Sequence, residues 1–246
     1  LDGQSGLNRQ MSYDGVDRIL NVVSPEAGVN QSFSYDDFDN LTRLATAGAT
    51  PFNYYYDASN RLTNIRTDEG ATIIGLAYDA QGNMINKNGR TFTFDANNRL
   101  IASAGSTTYA YDAAGRRVQR RAADGQDTNR YFYTRSGKLA VQFESKALRH
   151  TSHVYLDGIA VAAIETAQDG TASIKYVHND ILGSPIAYSS AQGTVLQRLQ
   201  YTTFGMSTGV SDGKPGFTGH VEDADSGTVY MQQRYYDPQI ALFLSP

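Results

Sequence analysis

The chain contains no cysteine and no tryptophan, and its 246 residues hold almost no helix signal. Without cysteine there is neither a disulfide framework nor a thiolate zinc site. No run of about 18 apolar residues occurs, so the sequence offers no membrane-spanning helix, and Leu1-Asp2-Gly3-Gln4 lacks the pattern of a secretory leader. No window repeats its apolar residues about every 3.6 positions. Cations are outnumbered: 21 Lys and Arg face 25 Asp and Glu, a formal charge of −4 that argues against a nucleic-acid partner. With 40% hydrophobic and 19% charged residues the chain still has the apolar content of a folded protein.

What is abundant is tyrosine, 17 residues, with 10 phenylalanines beside it. These fall into one recurring phrase, an aromatic residue and an aspartate followed by a turn. Tyr56-Asp57-Ala58-Ser59-Asn60-Arg61-Leu62 and Tyr111-Asp112-Ala113-Ala114-Gly115-Arg116-Arg117-Val118 are its clearest copies. Tyr78-Asp79-Ala80-Gln81-Gly82-Asn83-Met84 and Phe94-Asp95-Ala96-Asn97-Asn98-Arg99-Leu100 repeat it, and looser copies begin at Tyr13, Tyr35 and Tyr133. The aromatic ends a strand, and the aspartate caps the turn by accepting from the backbone two residues on. Three positions after it stands Asn60, Gly82, Asn98 or Gly115, residue types that tolerate a left-handed backbone. An apolar residue then opens the return strand.

The anchor aromatics, at 13, 35, 56, 78, 94, 111, 133, 155 and 176, recur every 21 or 22 residues, with shorter steps of 16 and 17 on either side of Phe94. Asn88-Gly89 and Ala104-Gly105 supply tight turns inside those short steps. A fixed period of this kind marks a repeat architecture. Two positions before the anchor there is usually a second bulky residue, as in Phe33/Tyr35, Tyr54/Tyr56, Phe92/Phe94, Tyr109/Tyr111 and Tyr131/Tyr133. A spacing of two puts both on one strand face, where they form a cross-strand ladder worth roughly 0.2–1 kcal/mol per pair over alanine. The expected fold is all-β: repeated antiparallel hairpins forming a long curved or spiralling strip. Residues 1–139 are read as the tyrosine–aspartate repeat strip. Residues 140–246 continue the same sheet in different wording, beginning with the hairpin signal Asp157-Gly158.

Candidate chemistry is sparse. His150 and His153 point to opposite faces of a strand, which disfavours a metal site with Asp157. Ser184 lacks the Gly-x-Ser-x-Gly setting of a hydrolase nucleophile. His178 and Asp180 share a strand face if that stretch is extended. The basic cluster Arg116, Arg117, Arg120 and Arg121 reads as a solvated strand face rather than a phosphate site. No cofactor is expected.

Taken in order, several phrases carry a family resemblance. The repeats resemble the YD repeats of RHS proteins, found in bacterial polymorphic toxins, the C subunits of Tc toxin complexes and animal teneurins. Tyr176-Val177-His178-Asn179-Asp180-Ile181-Leu182-Gly183-Ser184-Pro185, then Tyr201-Thr202-Thr203-Phe204-Gly205, then Gly216-Phe217-Thr218-Gly219-His220 and Arg234-Tyr235-Tyr236-Asp237-Pro238 are similar to the successive phrases of the RHS-associated core. The resemblance implies a β-shell module that encloses a C-terminal toxic polypeptide, exported as part of a larger secreted or cell-surface bacterial toxin. Its implied partners are that cargo and further repeats, or a second copy, at the sheet edges. Similar cores cut themselves free at a pair of Asp-Pro steps. Asp237 matches the first, and Phe243-Leu244-Ser245-Pro246 comes just before the second would arrive, so catalysis is expected only in a longer parent chain. Ala241-Leu242 departs from the Gly-Arg usual there. An adhesive role, with tyrosine rows stacking on glycans, is the other reading the resemblance allows.

Overall fold

A computed structural model describes residues 8–25, 29–104, 107–207, 209 and 213–246. Among these residues there is no α-helix; the chain is antiparallel sheet with one short 3-10 turn at Phe217–Gly219. It divides into two compact units, residues 1–78 with 86–89, and residues 79–85 with 90–246. The first unit is a meander of β1 (Gln10–Tyr13), β2 (Ile19–Ser24), β3 (Val29–Tyr35), β4 (Leu41–Thr46), β5 (Phe52–Tyr56), β6 (Leu62–Arg66) and β7 (Thr72–Tyr78). Each of these strands pairs with the next. Residues of β8 (Met84–Lys87) fall in both units.

The second unit continues the pattern through β9 (Arg90–Phe94), β10 (Leu100–Ser103), β11 (Thr107–Tyr111), β12 (Arg117–Arg121), β13 (Thr128–Tyr133) and β14 (Leu139–Glu144). It proceeds through β15 (Arg149–Leu156), β16 (Ile159–Ala167), β17 (Ala172–Asn179), β18 (Pro185–Ser189) and β19 (Val195–Arg198). A separate four-stranded sheet follows, made of β20 (Val221–Asp223), β21 (Thr228–Met231), β22 (Arg234–Asp237) and β23 (Leu242–Phe243).

Strand alternation explains the cores. Phe33, Tyr54, Leu62, Ile65 and Ile74 are buried in the first unit, and Phe92, Leu100, Tyr109, Tyr131 and Leu139 in the second. The residue two before the anchor is therefore the inward one in these repeats, each contributing about 1.5–3 kcal/mol of burial. Asn88-Gly89 and Asp157-Gly158 have φ of 50° and 84°, and 50° and 78°, the double left-handed geometry of a two-residue hairpin turn. The Ala104-Gly105 turn lies partly outside the described residues.

One irregularity recurs that the period did not announce. Pairing shifts register at the anchor of successive hairpins, between Tyr55 and Tyr56, Ala110 and Tyr111, Phe132 and Tyr133, and Val154 and Tyr155. The return strand carries the extra residue: Tyr55 faces Asn64 while Tyr56 faces Leu62, leaving Thr63 as the bulge. A bulge bends its strand and sharpens the local right-handed twist. Here it is part of the repeat.

Candidate functional site

The repeated phrase builds a clasp between one repeat and the next. In the Asp57 turn, Oδ1 accepts from the backbone N–H of Ser59 (2.9 Å) and Arg61 (3.0 Å), while Oδ2 accepts from Arg61 Nε at 3.0 Å. The Arg61 N–H, together with its side chain, holds Asp57 below the usual carboxylate range. Asp14, Asp95 and Asp112 grip Arg18, Arg99 and Arg116 in the same way. The arginine so held lies over the anchor tyrosine of the following repeat: Arg18 over Tyr35 at 4.9 Å, Arg61 over Tyr78 at 5.4 Å, Arg99 over Tyr111 at 5.3 Å and Arg116 over Tyr133 at 5.4 Å.

For Tyr78, Tyr111 and Tyr133 the covered ring completes the clasp. Its hydroxyl donates to the carbonyl of the residue after that arginine, the first of the return strand: Tyr78 to Leu62 (2.8 Å), Tyr111 to Leu100 (2.5 Å) and Tyr133 to Arg117 (2.8 Å). Tyr56 to Leu41, Tyr155 to Leu139 and Tyr201 to Pro185 follow the same rule without the arginine. Tyr176 does not. It is exposed, and Asn179, which sits immediately before the Asp180 turn, donates instead to Ala160 O at 2.7 Å. Asn179 also carries the register shift, so it is the anchor of that repeat. Asp180 lies in the turn and caps Leu182 and Ser184, so it does not share a strand face with His178.

The basic cluster is not the solvated face that the sequence indicates. Arg117 and Arg120 are 0% and 1% exposed. Arg117 Nη1 bonds Asp223 and, at 3.2 Å, the Tyr235 hydroxyl. Its guanidinium lies 4.5 Å from the Tyr230 ring centre, 4.6 Å from Tyr131, 5.5 Å from Tyr109 and 5.7 Å from Tyr235. Burial opposes the charge, but the Asp223 carboxylate outweighs it and holds Arg117 well above its ordinary range. Arg120 pairs with Asp225, which also accepts from Thr107 Oγ1 at 3.1 Å. These contacts fasten β20–β23 to the face of β11–β13.

The motifs spread from 176 to 238 meet at a second point. Phe217 packs against Tyr201 (6.0 Å between ring centres) and Tyr236 (6.2 Å, stacked). Tyr236 donates to Phe204 O at 3.0 Å. Ser184 is buried, and its Oγ accepts from Thr218 N at 3.0 Å. Thr218 Oγ1 lies 2.9 Å from His220 Nδ1, and His178 Nε2 lies 2.8 Å from Ser189 Oγ. These groups are engaged with one another as packing and hydrogen-bond partners.

Asp237 closes β22, is 1% exposed, and accepts from Gln239 N at 2.9 Å through Oδ1. Ala241 has φ of 60°, a left-handed backbone that costs alanine about 1–2 kcal/mol and glycine almost nothing. On β15, His150 is exposed and His153 half-buried on the other face. Among the described residues no group of three or more His, Asp or Glu side chains is arranged to hold a metal ion, and no helix is long and apolar enough to cross a membrane.

Tyrosines shielded from water make an alkaline prediction. Burial raises Tyr54, Tyr78 and Tyr155 from 10.0 to about 12. Their protonated forms favour the folded state fully below pH 10, and that stability is lost as the pH rises through the folded values near 12. The tyrosinate absorbance contributed by these shielded residues should therefore rise together with loss of the β-sheet circular dichroism signal. Smooth titration at pH 10 with the sheet intact would show solvent-accessible hydroxyls.

The tRNA3(Ser)-specific nuclease WapA of Bacillus spizizenii is 28% identical over 217 residues, covering 83% of this chain and 9% of the relative. Teneurin-m of Drosophila melanogaster is 25% identical over 207 residues, covering 79% of this chain and 7% of the relative. The chain thus spans less than a tenth of the length of either. The crystal structure of TcdB2-TccC3-Cdc42 aligns with 100% of this chain and 18% of its own, at 14% identity and a TM-score of 0.47. The family model described as Teneurin YD-shell matches residues 3–246. Matched over nearly its whole length and built from the repeated tyrosine–aspartate clasp, the chain belongs to the teneurin YD-shell family of YD/RHS repeats.

Proposed function

We propose that this chain is a length of wall in an RHS shell, and that the shell encloses a toxic polypeptide carried C-terminally by the parent protein. The observation that carries this reading is the clasp: within each compact unit, anchor hydroxyls bond the preceding repeat and fasten successive hairpins through their own side chains. Such a wall is a container component rather than an enzyme. The parent would be a secreted or cell-surface bacterial protein, with further repeats, or a second copy, on the sheet edges. The WapA relatives are named as tRNA nucleases, and a nuclease is one kind of cargo that would need containment. Glycan stacking is disfavoured, because Tyr54, Tyr109 and Tyr131 are 6%, 6% and 1% exposed.

A second reading concerns Asp237. Its burial at the end of β22 suits one half of a carboxylate pair that shares a proton, with release of the cargo by self-cleavage in the longer parent. A lone carboxyl cannot supply both acid and base, so this chain alone should cut nothing. One experiment separates the readings: express the parent with and without Asp237→Asn, then compare band sizes and protease resistance of the downstream polypeptide. A protected downstream segment in both proteins, with cleavage only in the unsubstituted one, supports both. An exposed, readily digested segment would remove the container function, and cleavage in both proteins would remove Asp237 from the chemistry.

A further inference from the structure

The strongest unassigned feature is a small cavity beneath β15–β18. Thr151 and His153 lie two apart on β15 and so share a face. Glu165 stands opposite Thr151 on β16, and Lys175 on β17 stands opposite Ala163, which faces His153. Lys214 reaches the same place from the loop before β20. Pro185, Pro215, Val177 and Tyr188 close the walls around a volume of about 40 Å³, room for one or two small species.

Two observations point to an occupant. Thr151 Oγ1, on a residue 2% exposed, and His153 Nε2 are buried with no hydrogen-bond partner in the protein. Leaving such groups unsatisfied costs about 1–3 kcal/mol each. The charge is also unbalanced. Glu165 receives both Lys175, at 2.9 Å, and Lys214, at 3.1 Å. Among the lining side chains one carboxylate stands against two ammonium groups while His153 is neutral, and Glu222 acts on the lining Tyr188 from outside it. A cation is therefore disfavoured.

We propose that this cavity is a binding site for a small monovalent anion of chloride size, held by Thr151 Oγ1, His153 Nε2 and Lys214 Nζ. The anion balances the second lysine and accepts from the Thr151 hydroxyl and, in the Nε2–H tautomer, from His153. The charged and titratable neighbours of His153 are Lys214 from the loop, Glu165 on β16, Lys175 on β17 and Tyr188 on β18. Burial, with Lys214 adding to it, lowers His153 from 6.5 to about 4. Anion binding opposes both effects, so chloride should raise the His153 midpoint, and by linkage acid should tighten chloride binding.

The test follows the His153 imidazole by nitrogen-correlated NMR while sodium chloride is titrated into the whole chain, with sodium gluconate at equal ionic strength as the control. The expected result is a saturable chloride shift that gluconate lacks, an upward displacement of the His153 titration, and at least tenfold weaker chloride binding in Lys214→Met. If Lys214→Met does not fold, Thr151→Val removes the hydroxyl at nearly constant shape and should weaken binding several-fold. Equal responses to the two salts would overturn the proposal, as would a chloride response unchanged by the substitution.

Discussion

Arg117→Ala is expected to destabilise the chain by about 3–5 kcal/mol, because it removes the cation that pairs with the buried Asp223 carboxylate. Asp223 is fully buried, and the other surroundings of the guanidinium are rings: Tyr109, Tyr131, Tyr230 and Tyr235. Arg117→Lys should recover little, since an ammonium group presents no planar face to stack among four rings while reaching the carboxylate. The paired change Arg117→Met with Asp223→Asn should recover most of the loss, because removing both charges also removes the desolvation penalty. Urea unfolding monitored by tyrosine fluorescence measures all four proteins. A loss below about 1 kcal/mol for Arg117→Ala would mean that the cage does not hold β20–β23 in place.

The second large effect is expected at Gly205, whose φ is 88° and whose missing side chain leaves room for the Phe217 ring. A Cβ there would come within 2.4–2.5 Å of the Phe217 ring that joins Tyr201 to Tyr236. Gly205→Ala combines a left-handed penalty of about 1–2 kcal/mol with overpacking of about 1–3 kcal/mol. Gly193 supplies the control. Its φ is 79°, but no atom lies within 4 Å of its would-be Cβ. Gly193→Ala should therefore show the backbone penalty alone, and thermal denaturation should rank Gly205→Ala clearly below it. Equal midpoints would show that Phe217 yields without cost.

Much of this was written locally. Asp57, Asp79, Asp95 and Asp112 announce their turns because the capping aspartate and the left-handed residue are neighbours in sequence; Asn60, Gly82, Asn98 and Gly115 all have positive φ. The inward position two before the anchor follows from strand alternation alone. What escaped depends on partners far along the chain. Tyr176 continues the period but not the function, because Asn179 reaches the same class of carbonyl with a shorter side chain. Arg117 reads as one of four surface cations, although it occupies the slot that opens the return strand, filled by buried Leu62, Met84, Leu100 and Leu139 in other repeats. That substitution was the available signal; its explanation, Asp223 with Tyr230 and Tyr235, lies more than 100 residues downstream. The phrases between 176 and 238 were legible as an ordered series. Their meeting around Phe217 was not, because spacing in sequence does not determine which rings share a core.

Among the described residues, six anchor tyrosines fasten their repeat to the one before it through the ring hydroxyl, and hydrogen–deuterium exchange on Tyr155→Phe measures what one such bond holds. The substitution keeps the ring and removes only the donor to Leu139 O, a bond of 2.9 Å. The predicted result is exchange roughly two- to tenfold faster across β14, the return strand of the preceding repeat, with the Asp157-Gly158 turn that follows Tyr155 unchanged. Unchanged protection in β14, or faster exchange confined to the β15–β16 turn, would contradict it.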